Sequence, residues 1–182
     1  MTPIVSDIRI LDNLLALNLN VSLWSARRKM SQDDLGGAEL PPEDLASLGS
    51  KRIADPANLK VFGTLKARAF NYLDRHGVRF MSGWAIPEEK AGEIVQELCN
   101  IRNDFQKEKE AFLAGYDQNV QTWIEKHHQW GEIIRNSIVG PDYVRARMDF
   151  RWQLYKVSPL AQHTDNTAVL EAGLAEEVQG LG

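Results

Sequence analysis

The chain has 182 residues, of which 43% are hydrophobic and 25% charged, with a net charge of −4 at pH 7 and a single cysteine. That length and balance suit one globular domain with a sizeable core and exclude a disordered chain. Cys99 alone excludes an internal disulfide framework and a multi-cysteine metal site, and the acidic total means that any anion-binding surface must be local.

The N-terminal stretch MTPIVSDIRILDNLLALNLNV has neither the basic start nor the unbroken apolar core of a signal peptide. No apolar run approaches the ~20 residues of a membrane-spanning helix, so a cytoplasmic protein without membrane contact is expected. The first strand is predicted where Leu17, Leu19, Val21 and Leu23 alternate with Asn18, Asn20 and Ser22. A basic cluster, Arg27–Arg28–Lys29, follows it directly. Ser31 and Asp34 then have capping-box spacing for a brief turn before Gly36–Gly37, and Pro42 to Leu48 reads as a short helix stopped by Gly49.

Asp55–Pro56 supplies an N-cap with proline at the first helical position. Leu59, Phe62, Leu65, Ala69 and Leu73 recur at helical steps behind it, up to Gly77. Val78, Phe80, Ser82, Trp84 and Ile86, opposite Arg79, Met81, Gly83 and Ala85, predict a second strand. A long helical segment, about 87–136, starts at Pro87 with Glu88 and Glu89 complementing the helix dipole. Unbroken it would extend roughly 75 Å. Gly115 and Asp117 predict a break that turns it into a bent arm or hairpin, and the Lys107–Glu110 run, where the apolar stripe lapses, is expected to be its solvent-exposed part. A third strand is predicted over about 146–157, with Val144, Ala146, Met148, Phe150, Trp152 and Leu154 facing one way and Arg145, Arg147, Asp149, Arg151 and Gln153 the other. Its start could equally belong to a short turn after Gly140–Pro141. The polar, alanine-rich residues 160–182 read as a tail beyond a domain spanning 1–159.

No catalytic constellation emerges. LGSKR at 48–52 is no phosphate loop, and GxGxxG, HExxH and GxSxG are absent from the sequence. Adjacent His127 and His128 diverge by about 100° on a helix, which suits no shared metal. Cys99 reads as a buried thiol, and the five tryptophans read as core, with Trp123 and Trp130 on one packed helix face. The pattern above background is polar. If the three strands form one sheet, Arg79, Arg145, Arg147 and Arg151 gather on its polar face, either as a solvated face with Asp149 and helix carboxylates pairing some of the arginines or as an anion or acidic-partner site.

The order of LNLNVSLWSARRK (17–29), LPPEDLASLGSKRI (40–53), RHGVRFMSGWAIP (75–87), WIEKHHQW (123–130) and MDFRWQLYKVSP (148–159) resembles a domain-of-unknown-function family of bacteria, phages and mobile elements. That resemblance implies a gene neighbourhood with a MoxR-like AAA+ ATPase and a von Willebrand A protein, and it carries over no catalytic residues.

The expectation is therefore an α+β fold: a small, mainly antiparallel sheet packed by helices, with a long helical arm or hairpin. The expected function is a non-enzymatic adaptor or assembly component, without cofactor or metal, whose protein partner the resemblance places in an AAA+ ATPase system. The alternative is a nucleic-acid-binding accessory protein using the arginine face.

Overall fold

Strand β1, Leu14–Ser22, is an inner strand of a four-stranded antiparallel sheet. The computed structural model describes residues 13–36 and 49–156. The expected Pro42–Leu48 helix and the 160–182 tail lie outside the described residues. The fold is α+β, with β4 at Val78–Phe80, β5 at Gly83–Pro87 and β6 at Asp149–Lys156, in the sheet order β4-β5-β1-β6. A separate two-stranded ribbon joins β2, Arg27–Lys29, to β3, Ser50–Arg52.

The alternation read in β1 decides its facing. Leu17, Leu19 and Val21 are buried, and Asn20 and Ser22 are exposed on the other side. Helix α1, Lys60–His76, and helix α2, Ala91–Ala114, cover the buried face. As its cap predicts, the Asp55 carboxylate accepts a hydrogen bond from the Ala57 N–H at 2.9 Å, opening the 3-10 turn that leads into α1. Phe62, Leu65, Ala69 and Leu73 then point inward. Edge-to-face contacts of Phe62 with Phe105 and Phe112, and of Phe70 with Trp84, tie the two helices to each other and to the sheet. Outside this core, Arg68 on α1 bridges Glu97 and Asp104 on α2.

The 78–87 stretch is not one strand but a hairpin, turned at Met81 with φ of 50°. In the antiparallel pairing Arg79 lies directly opposite Trp84, so it shares the buried face rather than the polar one. Gly83 is required where β5 joins β1, because a Cβ there would fall 2.1 Å from the Leu17 carbonyl oxygen. The 141–148 stretch departs in the direction left open by Gly140–Pro141. It is helix α5, Pro141–Ala146, with proline in its first turn, and β6 begins only at Asp149. Trp152 is half-buried on the inner face beside Phe150.

The long segment breaks at Gly115, as its sequence predicts, giving α3 at Tyr116–Lys126. It breaks again at His127, ahead of α4 at Gly131–Arg135. Lys107–Glu110 is not the solvent exit. Lys109 is 8% exposed and donates to the Met148 carbonyl, because α2 passes over the junction of α5 and β6. Cys99 is half-buried rather than fully enclosed. Among the described residues no helix is long and apolar enough to cross a membrane.

Lys109→Ala should cost about 1–3 kcal/mol, since it leaves a buried carbonyl without its donor. Lys107→Ala, at an exposed neighbour, should stay within about 0.5 kcal/mol. Urea unfolding of the two variants checks the difference, and equal losses would contradict the assigned burial.

Candidate functional site

The four arginines expected on one face are dispersed. Arg79 clamps Asp74 through two hydrogen bonds, at 2.7 and 3.0 Å, and lies over the Trp84 ring at 4.3 Å. Arg145 sits on α5 and forks onto Glu110 of α2. Arg147 is the C-cap of α5, with its guanidinium 3.8 Å over the Tyr143 ring. Only Arg151 occupies the expected strand position, beside Asp149 at 3.5 Å. Moreover β1 lies between β5 and β6, so the hairpin that carries Arg79 and the strand that carries Arg151 are not neighbours. Two consequences follow for these groups. The hydrogen bonds from Arg79 and Trp84 hold the Asp74 carboxyl below its ordinary value, and the hydrogen bond from Arg145 does the same for Glu110. Arg79 and Arg145 act as structural cations.

The concentration of positive charge lies instead on the ribbon. Beyond β1 the buried Trp24 packs against Phe112 and Tyr116, and the chain turns at Ala26. Ala26 takes a left-handed φ of 54° with its methyl fully buried, a conformation costing a non-glycine residue roughly 1–2 kcal/mol. The Ala26 carbonyl accepts the Ile53 N–H at 2.9 Å, closing the base of the ribbon, and the Met30 N–H donates to Gly49 at the far end. Arg27 then faces Arg52 and Arg28 faces Lys51, while Lys29 faces Ser50. Every ribbon residue except Ser50 is Arg or Lys. Like charges placed directly opposite are destabilising.

Relief is partial and one-sided. Lys51 is held by the Asp34 carboxylate, which also takes the Ser31 N–H at 2.8 Å in the predicted capping arrangement. Arg28 shares the Tyr143 ring with Arg147, at 5.7 Å. Arg27 and Arg52 are exposed, and among the described residues no carboxylate reaches either.

An apolar hollow of about 360 Å³ adjoins the ribbon, walled by Met30, Trp123, His127, Trp130, Ile133 and Ile134, with Lys51 and Arg52 at its margin. The Trp123 indole N–H donates to the Arg52 carbonyl at 3.2 Å and fixes α3 to the ribbon. Trp130 departs from the packed helix face expected of it. The chain leaves helical geometry at His127, so Trp130 falls in a 3-10 turn and is 61% exposed. The His127 Nε2 atom is buried, without a hydrogen-bond partner among the described residues. Among the described residues no group of three or more His, Cys, Asp or Glu side chains is placed to hold a metal.

The ribbon offers guanidinium forks of the kind that suit carboxylates or phosphates, beside a hollow wide enough for one bulky apolar group. Arg27–Arg28–Lys29 was visible in the sequence as a basic cluster. Its pairing with Lys51 and Arg52 was not, because the two halves are separated by the 37–48 stretch.

Residues 11–182 match a family described as a protein of unknown function (DUF3150). No curated protein and no solved structure matches the chain.

Burial raises the pKa of the Asp34 carboxyl, but the hydrogen bonds from Lys51 and Ser31 outweigh it, so its folded value lies below the ordinary one. Its stabilising contribution is therefore complete above the unfolded carboxylate range, near ~3.9, and is lost as pH falls through the lower folded value. The stability gap between wild type and Asp34→Asn should be constant above about pH 6 and shrink below about pH 4. Denaturant titrations across that window check it, and a gap independent of pH would contradict the Lys51–Asp34 assignment.

Proposed function

From a chain that belongs to the DUF3150 family of unknown function, we propose a non-enzymatic adaptor that grips an acidic segment of a partner protein on the basic ribbon and seats one bulky apolar side chain of that segment in the tryptophan-lined hollow. The observation that carries this reading is the opposition of Arg27 to Arg52, exposed and, among the described residues, without carboxylates, on a protein of net charge −4. Such a pairing works against folding and is relieved when an anion arrives. The hollow supports a protein segment over a nucleobase. Its walls are Met, Ile, Trp and His side chains, whereas a base edge needs several hydrogen bonds and the His127 Nε2 atom is itself buried. An AAA+ ATPase of the MoxR-like kind is the partner class that the sequence resemblance contributes to this proposal.

A nucleic-acid accessory role is the second reading, now moved from the sheet face to the ribbon. Tyr143, with Arg147 at 3.8 Å and Arg28 at 5.7 Å from its ring centre, is the observation in its favour, since an aromatic among cations can stack a base. It would use phosphates rather than an apolar plug.

The two readings separate by titration. A synthetic Asp/Glu-rich peptide with one central Phe should quench the tryptophan fluorescence of the full chain on binding. Trp130→Ala should weaken that binding at least tenfold, as should Arg27→Glu paired with Arg52→Glu. Replacing the peptide's Phe by Ser should weaken it similarly. Tighter binding of a single-stranded oligonucleotide, falling steeply with salt and indifferent to Trp130→Ala, would move the conclusion to the second reading.

A further inference from the structure

Strand β6 ends the sheet, and among the described residues its outward edge is unpaired. It bonds β1 along Asp149–Lys156, and no described residue bonds its outward side. Natural edge strands are usually short, bulged or interrupted by proline. β6 is eight residues long, regular and free of proline. Its inner face carries Trp152, half-buried under Arg102 at 4.7 Å, and then Leu154, which is 40% exposed. Its outer face carries Arg151 and Tyr155, the latter 46% exposed. A long open edge with apolar and aromatic side chains on both faces calls for a strand beside it.

We propose that this strand is β6 of a second copy of the chain, giving a continuous eight-stranded antiparallel sheet across a two-fold axis through Gln153. The sequence of β6 is self-complementary in that register. With Gln153 opposite itself, Trp152 meets Leu154 on the inner face and Arg151 meets Tyr155 on the outer face. Both contacts occur twice by symmetry. An axis through Arg151 would set two guanidinium groups against each other. An axis through Trp152 would set Arg151 against Gln153 and forfeit both cation–aromatic pairs. The ribbon and its hollow contribute nothing to this contact, so the inference stands apart from the partner-binding reading.

Sedimentation equilibrium of the full chain should show a monomer–dimer transition. Gln153→Cys should cross-link two chains under mild oxidation, since directly opposed Cβ atoms lie about 4.5–5.5 Å apart. Arg151→Cys should not, and neither should the wild type, whose Cys99 lies on α2. Tyr155→Lys, which opposes Arg151 with a like charge, should raise the dimer dissociation constant at least tenfold and leave the circular dichroism spectrum unchanged. Arg27→Glu should leave the dimer intact. A monomer at every concentration would overturn the proposal. So would a dimer in which Gln153→Cys forms no cross-link, because self-association would then use another surface.

Discussion

Strand β1 is bonded along both of its edges, with Leu17, Leu19 and Val21 sunk beneath two helices, and this double commitment fixes the chain on either side of it. A central strand cannot slip by one residue without exchanging its core face for its polar face. The strand's exit is equally constrained. Trp24 is locked between Phe112 and Tyr116, and Ala26 takes a left-handed turn with no exposed surface. The ribbon that follows therefore emerges from the core at a set place and angle. Its cations project from a support anchored by that packing, which is the preorganisation the proposed recognition calls for.

That support is spent on an arrangement that opposes stability. Two cation–cation pairs face each other across a short ribbon, with one Lys neutralised by Asp34 and one Arg laid against Tyr143. The other conspicuous arginines of the molecule are treated differently. Arg79, Arg145 and Arg68 each have a carboxylate at hydrogen-bond distance and tie elements together. What distinguishes the ribbon is the direct opposition of Arg27 to Arg52 and of Arg28 to Lys51 across its two strands. Charge density alone would not have done so.

Much of the framework was legible in the residues. The β1 alternation, the Asp55–Pro56 entry to α1, the Gly115 break and the turn opened by Ser31 and Asp34 all rest on local chemistry that a sequence displays. The misreadings have identifiable causes. Period-two alternation happened to continue from β6 backwards through α5, so Arg145 and Arg147 looked like strand residues. The hairpin at Met81 has no glycine or asparagine at its positive-φ position, so the turn left no signal. Lys109 looked solvated because the carbonyl that receives it lies 39 residues away in sequence. The candidate site was half legible. Arg27–Arg28–Lys29 stood out, whereas the strand opposite it and the exposure of Trp130 depend on tertiary placement.

The claim that the ribbon holds unrelieved repulsion, and is thereby poised for an anionic partner, is tested most directly by the stability of Arg52→Gln against ionic strength. Removing one member of the Arg27–Arg52 pair should raise the unfolding free energy at low salt by about 0.2–1 kcal/mol. The gain should vanish near 1 M salt, where screening acts over about 3 Å. A variant less stable than the wild type at low salt would mean that Arg52 is compensated within the fold, and the ribbon would lose its standing as the proposed binding site.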